Sequence, residues 1–166
     1  MSRESNDAVF LKGFSGNASI VGNVMAHASS AIGTGAGAAG IKIWHNTIVA
    51  NAATGVIASS ASAVDLRNNI LANNGAYGAS GADSKFSDQD YNLFFANGTA
   101  DCNSCTLGTH SVQTDPLFTN AASDDYTLKV GSPALNAGTS LGADRNGASA
   151  GTFNGSAPDL GAWEGP

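Results

Sequence analysis

The sequence predicts an all-β protein, a parallel β-helix of about four coils, and three observations lead there. Asparagines recur at a fixed spacing, with Asn23, Asn46, Asn69 and Asn92 each following the last by 23 residues. Each sits in a short apolar run bounded by Gly, Ser and Asn, which is a strand signal and too short for a helix. Gly, Ala, Ser, Thr and Asn supply more than half of the 166 positions, while the helix formers Glu and Lys appear only two and four times. A bundle of amphipathic helices is excluded. With 12% charged and 42% hydrophobic residues, the chain can build one folded core and is too short for a multidomain enzyme.

Four segments align on the repeat: 18–26, 41–50, 64–72 and 88–95. A weaker apolar column runs through Val9, Ile32, Val56 and Tyr77. Two or more strands per repeat make one coil of a solenoid, where equivalent positions stack at about 4.8 Å and like residues form ladders. A narrow coil cannot hold large side chains at every inward position, and its corners need left-handed backbone, a role expected of Gly and Asn. The stacked asparagines are expected to hydrogen-bond along their ladder. The second coil poses a choice of register. A strict 23 would bury Thr47 and expose Ile48, forfeiting roughly 1.5–3 kcal/mol for a large aliphatic side chain. The reading therefore places Val24, Ile48, Ile70 and Leu93 in one column, with one extra residue, a bulge, within Trp44 to Thr47. The glycines of 33–40 resemble a phosphate loop but lack its Lys-Ser/Thr ending and precede a strand, so they read as a corner.

The period ends near residue 100, dividing the single domain into coils (1–100) and a tail (101–166) expected to wrap or cap the same solenoid. The tail carries Asp115-Pro116-Leu117-Phe118, then Asp125-Tyr126-Thr127-Leu128, then the run from Gly131-Ser132-Pro133 to Gly138, then Pro158-Asp159-Leu160-Gly161-Ala162-Trp163-Glu164. In that order these phrases resemble the carboxy-terminal signature of bacterial right-handed parallel β-helix proteins of the pectate-lyase-like superfamily, which commonly reads "DPLF", "GSPAIDAG" and "DLGAYE". The coil texts at 46–51 and 68–73 resemble the last coils of the same proteins. The resemblance covers most of residues 18–164 and implies a right-handed hand and a secreted or surface-displayed protein. The group spans many functions, so no activity follows from it. It also implies that polysaccharide-cleaving members carry more coils than precede the tail here, with catalytic groups among the middle ones.

Several local expectations attach to the tail. Phe94, Phe95, Leu117, Phe118, Leu128, Leu135 and Leu160 should be buried, having no other core to join. Asp115-Pro116 should start a turn and Ser132-Pro133 an extended segment, while Asp124-Asp125 and 144–147 read as turns. An open first coil exposes unpaired strand edges, and residues 1–7 are short for a cap, so self-association through that end is expected.

A net charge of -6 and a pI near 4.6 leave no electrostatic footprint for nucleic acid or anionic lipid. The longest apolar runs fall far below the ~20 residues of a spanning helix, and no stretch of signal-peptide length follows Met1. The chain as written is expected to be soluble and not to export itself, whereas the resemblance implies an extracellular or cell-surface location. Cys102-Asn103-Ser104-Cys105 has no second pair and only His110 nearby, so the usual zinc spacings are not met. The reading is a local Cys102–Cys105 disulfide, with two reduced thiols, or a redox or metal role, as the alternatives. His27, His45 and His110 lack acidic or cysteine neighbours at ligand spacing and read as satisfied surface histidines.

Alternation sends Ile41, Ile43, Val64 and Leu66 inward and Lys42, Trp44, Asp65 and Arg67 outward. Stacking then gives two outer ladders, Ser19–Lys42–Asp65–Asp88 and Val21–Trp44–Arg67–Asp90, the densest charged constellation in the chain. Three readings fit it. Neighbouring coils can pair opposite charges, Lys42 with Asp65 and Arg67 with Asp90, with Trp44 packed over Arg67. An exposed Trp44 indole with Lys42, Asp65 and Arg67 can form a sugar-binding face. Asp65, Asp88 and Asp90 with Arg67 or Lys42 also supply the inventory of a calcium-assisted lyase or an inverting glycosidase. The sequence reading is a non-catalytic module of an exported or surface-associated protein, binding polysaccharide or another macromolecule without a cofactor. Its rival is a small polysaccharide lyase or glycoside hydrolase, with calcium if a lyase.

Overall fold

A computed structural model describes residues 7–11, 16–59, 62–142 and 152–165. The first coil contributes β1 (Val9–Leu11), β2 (Ala18–Val21) and β3 (Val24–Ala26), and the second β4 (Ile32–Thr34), β5 (Ala39–Trp44) and β6 (Thr47–Val49). The third holds β7 (Val56–Ala58), β8 (Ser62–Arg67) and β9 (Ile70–Ala72), the fourth β10 (Tyr77–Ser80), β11 (Phe86–Asp90) and β12 (Leu93–Phe95). A partial fifth follows with β13 (Ala100–Asn103) and β14 (Val112–Gln113). Like strands pair in parallel from coil to coil, forming sheets β1-β4-β7-β10-β13, β2-β5-β8-β11 and β3-β6-β9-β12-β14. The protein is a parallel β-helix of about four coils, and its ladders run past residue 100, through Gln113.

Asparagines hold the corners. Asn46 and Asn69 are fully buried or nearly so, and each donates its backbone N–H to the Oδ1 of the asparagine one coil on, at 2.9 and 3.0 Å. Their Nδ2 groups donate to that same Oδ1 and to the carbonyls of Ile20 and Ile43 in the preceding coil. Ser111 ends the ladder, its Oγ accepting the Asn92 N–H. A second ladder, unread in the sequence, runs through Asn51, Asn74 and Asn97 at the same spacing; the Ala28 N–H donates to its first member, and the last donates to Asp101. The residue before each ladder asparagine is left-handed, φ being 68°, 52°, 58° and 52° at Gly22, His45, Asn68 and Tyr91. Left-handed backbone was expected of Gly and Asn, yet His, Tyr and Ala adopt it too, at a cost of roughly 1–2 kcal/mol each. The side-chain bonds at each corner offset that cost.

The expected bulge between Trp44 and Thr47 is absent. Val24 pairs with Thr47, Met25 with Ile48 and Thr47 with Ile70, all in strict register. The choice between burying Thr47 and burying Ile48 is void, because both are buried. Ile48 points into the coil beside Leu71 and Phe94, while Ile70 and Leu93 point outward under the tail. The extra residue falls later, between Val49 and Val56, since Val49 lies 23 from Ala26 but Val56 lies 24 from Ile32. That shift also pairs Val56 with Ala79, not with Tyr77.

The tail forms a second core against the outer face of the β3-β6-β9-β12-β14 sheet, which is why those strands read as continuous apolar runs. Leu160 is fully buried, Phe118 and Leu128 nearly so, while Phe95 and Leu135 are half-buried. Leu117 contradicts expectation at 39% exposure: its φ of 53°, beside an Asp115 carboxylate that accepts its N–H, turns it outward as Phe118 turns in. Ser132-Pro133 opens a turn in place of the expected extended segment, the Ser132 carbonyl accepting the Leu135 N–H and its hydroxyl donating to the Pro116 carbonyl. Asp124 lies in a turn with φ 58°, whereas Asp125 already begins a strand; residues 144–147 lie outside the described residues. Two tail phrases are tied together, Asp159 accepting the Asn136 N–H at 2.6 Å and the Ala134 carbonyl accepting the Leu160 N–H. Gly161 (φ 95°) admits no side chain, because a Cβ would meet Thr47 Oγ1 at 2.7 Å and Ile70 at 2.8 Å.

The tail hairpin, β15 (Phe118–Asn120) with β16 (Asp125–Leu128), packs Tyr126 edge-on against Phe118 and donates the Tyr126 hydroxyl to Asp124. Asp124 also meets His27 of the first coil at 2.7 Å. Burial, with the Asp124 bond second, pushes the Tyr126 phenol from 10.0 up to about 12. The folded state thus favours the neutral phenol, so this stability is complete below pH 10 and lost as pH rises through about 12. Unfolding free energy should fall across that window in urea titrations, and Tyr126→Phe should remove the fall. A second test addresses the ladder: Asn69→Ala takes the acceptor from the buried Asn46 backbone N–H and the side-chain donor from the Ile43 carbonyl, each worth about 1–3 kcal/mol when buried. Urea unfolding should show a loss of about 3 kcal/mol or more, against about 1 kcal/mol or less for Asn23→Ala at the exposed end of the ladder.

Candidate functional site

The charged constellation lies on the outer face of β2-β5-β8-β11, in the predicted register. Ser19 pairs with Lys42, Lys42 with Asp65 and Asp65 with Asp88; Val21 pairs with Trp44, Trp44 with Arg67 and Arg67 with Asp90. The ion pairs differ from those expected. Arg67 engages Asp65 of its own strand, Nε to Oδ1 at 2.6 Å and Nη2 to Oδ2 at 2.5 Å, and reaches Asp88 at 3.4 Å. The planar guanidinium fork fits a carboxylate two residues away on the same strand face, which leaves Lys42 without Asp65. The hydrogen bond it donates to Asp65 comes first in holding the Arg67 guanidinium above its ordinary value, against desolvation.

Trp44 is 8% exposed, so it offers no open ring to a sugar. Lys42 Nζ lies 4.5 Å from the ring centroid and Arg67 Cζ 5.5 Å, so the two long cationic side chains, one from each ladder, flank the indole. Its Nε1 is buried without a hydrogen-bond partner. The expected stacking platform is therefore corrected: Trp44 packs under its neighbours.

Asp90 turns to His110, whose N–H and Nδ1 both bond its carboxylate at 2.7 Å, while the His110 ring stacks on Tyr91 at 4.5 Å. Desolvation works to raise the Asp90 carboxyl, and the His110 and Tyr91 hydrogen bonds outweigh it and hold it below the usual carboxylate range. The three histidines are thus not the uniform surface set the sequence suggested. His27 and His110 are exposed and paired with Asp124 and Asp90, and His45 is buried beside Asn68. Cys102 and Cys105 are joined by a disulfide at the start of the segment that closes over β11. Gly108 crosses that edge so closely that a Cβ would meet the Gln89 carbonyl at 2.2 Å.

Beside the ladders the sheet opens into a depression of about 180 Å³ lined by Asn17, Gly40, Lys42, Ala63, Asp65 and Ser87. Its origin is backbone geometry. Gly40 and Ala63 occupy equivalent positions and are both left-handed, at φ 62° and 61°, and in the next strand the register shifts between Phe86 and Asp88. These irregularities interrupt three neighbouring strands at one level, where the side chains are absent or small. The sequence marked Lys42 and Asp65 but not the hollow they border, because Ala63 carries no signal for positive φ. A second hollow, of about 150 Å³, lies in the tail among Asn136, Asp159 and Glu164. There the Asp159 carboxylate already accepts the Asn136 and Gly165 N–H groups.

Among the described residues, no group of three or more His, Cys, Asp and Glu side chains is placed to hold a metal ion, and no helix is long and apolar enough to cross a membrane. No family model, no curated protein and no solved structure matches this chain.

Proposed function

We propose that this chain is a non-catalytic β-helical module of an exported or surface-associated protein that binds polysaccharide along the outer face of β2-β5-β8-β11. The observation that carries this reading is the polar depression, where exposed Asn17, Lys42 and Ser87 surround small residues on a rigid sheet. Concave sites with few polar groups on a fixed frame suit small-ring ligands. The tail phrases that resemble those of right-handed, pectate-lyase-like β-helix proteins support the exported setting.

The rival reading, a lyase or glycoside hydrolase using Asp65, Asp88, Asp90 and Arg67, draws less support from this geometry. Arg67 and Asp65 are bonded to each other and Asp90 to His110, which leaves Asp88, 3.4 Å from Arg67, as the one carboxylate of the set without a hydrogen bond, where an inverting pair needs two. Affinity electrophoresis against a panel of polysaccharides, with reducing ends and unsaturated products followed with and without calcium, separates the two. Retardation without product is expected. Lys42→Ala should weaken it about tenfold, ~1.4 kcal/mol, with the β fold retained by circular dichroism. Product formation abolished by Asp65→Ala would overturn the proposal.

A further inference from the structure

Resting on the binding reading above, we infer that the ligand of the β2-β5-β8-β11 face is a neutral polysaccharide recognised through its hydroxyls, and not a polyanionic chain. The cations that would attract an anionic glycan are outnumbered, and one of the two is paired. Arg67 is held by Asp65 and Asp88, and Lys42 lies over the Trp44 ring. The carboxylates of the same two ladders, Asp65, Asp88 and Asp90, outnumber Lys42 and Arg67, and Asp88 is 46% exposed at its side chain. The whole chain carries -6, so a polyanion meets repulsion at long range as well as at the face. At ~0.1 M salt charges act over about 10 Å, which takes in the depression and the Asp88 row together.

The groups that line the hollow suit hydroxyls. The Asn17 amide and Ser87 hydroxyl each both donate and accept, the Lys42 ammonium donates, and the Asp65 carboxylate accepts. These groups step from the first coil to the fourth, Asn17, then Lys42, Asp65 and Ser87. Three coil steps of about 4.8 Å make a track of about 14 Å, long enough for a short run of sugar rings laid along the solenoid axis. Stacked coils thus supply several hydrogen-bonding groups in a row, two of them neutral and two of opposite charge.

The test compares neutral glucans and galactomannan with polygalacturonate and alginate, by affinity electrophoresis of the whole chain at low and high salt. The expected result is retardation by a neutral polymer that is unchanged by salt, weakened about tenfold by Asn17→Ala or Ser87→Ala, and stronger than retardation by either uronate polymer. Circular dichroism and melting of both variants should match the parent, since both side chains are exposed. Salt-sensitive retardation by polygalacturonate or alginate, exceeding that by every neutral polymer, would overturn the inference while leaving polysaccharide binding intact. No retardation by any polymer would overturn the binding reading and the inference with it.

Discussion

Every coil bends through left-handed backbone on both sides of its short central strand, and at each bend amides and carbonyls turn away from the strand ladders. The stacked asparagines satisfy them. Asn69 receives the N–H and amide of Asn46, donates to Asn92, and reaches back to the Ile43 carbonyl, so one side chain joins three coils. Because the bonding asparagine must lie directly over its predecessor, the ladder imposes a fixed spacing on the corners. Slack in chain length is displaced elsewhere, to the loop between Val49 and Val56 and to the irregularity between Phe86 and Asp88. The polar depression is built beside that second irregularity, so the same constraint that fixes the corners also shapes the candidate site.

Both faces of the β3-β6-β9-β12-β14 sheet are covered. Ile48 and Leu71 fill the coil, while Ile70 and Leu93 meet Leu160, Phe118 and Leu128 of the tail. The tail thereby supplies the large apolar side chains that a narrow coil cannot accommodate inside. Its own phrases are internally bonded, Asp159 to Asn136, and Gly161 lies against Thr47 and Ile70 of the coils, so the tail docks as a shaped piece with its glycine at a point of close approach.

The sequence revealed the repeat because large inward residues and asparagines recur in phase, and it revealed the outward ladders because alternation on β5 and β8 is clean. Other features were hidden for physical reasons. Thr47 and Ile48 looked like alternatives only while one face of their strand was assumed wet. The Asn51–Asn74–Asn97 ladder lacked a first-coil member, Ala28 standing in its place, so its period was harder to see. Trp44 looked exposed by alternation, but two long cationic neighbours flank its ring, and a side chain's reach is not written in strand parity. Arg67 chose Asp65 over the partner one coil away because bidentate geometry decides where register permits several pairs. The Cys102–Cys105 disulfide was legible as the leading reading, because the two cysteines have no second pair to join in a metal site.

If the asparagine ladders hold the solenoid together, their amides open only when the whole chain unfolds. Native-state hydrogen exchange followed by NMR reads this residue by residue, each opening free energy being compared with that of global unfolding. The N–H groups of Asn46, Asn51, Asn69 and Asn74, all directed at asparagine side chains, should exchange only through global unfolding, alongside the amides of β5 and β8. Exchange of these four at the rate of exposed loop amides, while β5 and β8 stay protected, would show that the corners open independently and that the ladders do not hold the fold.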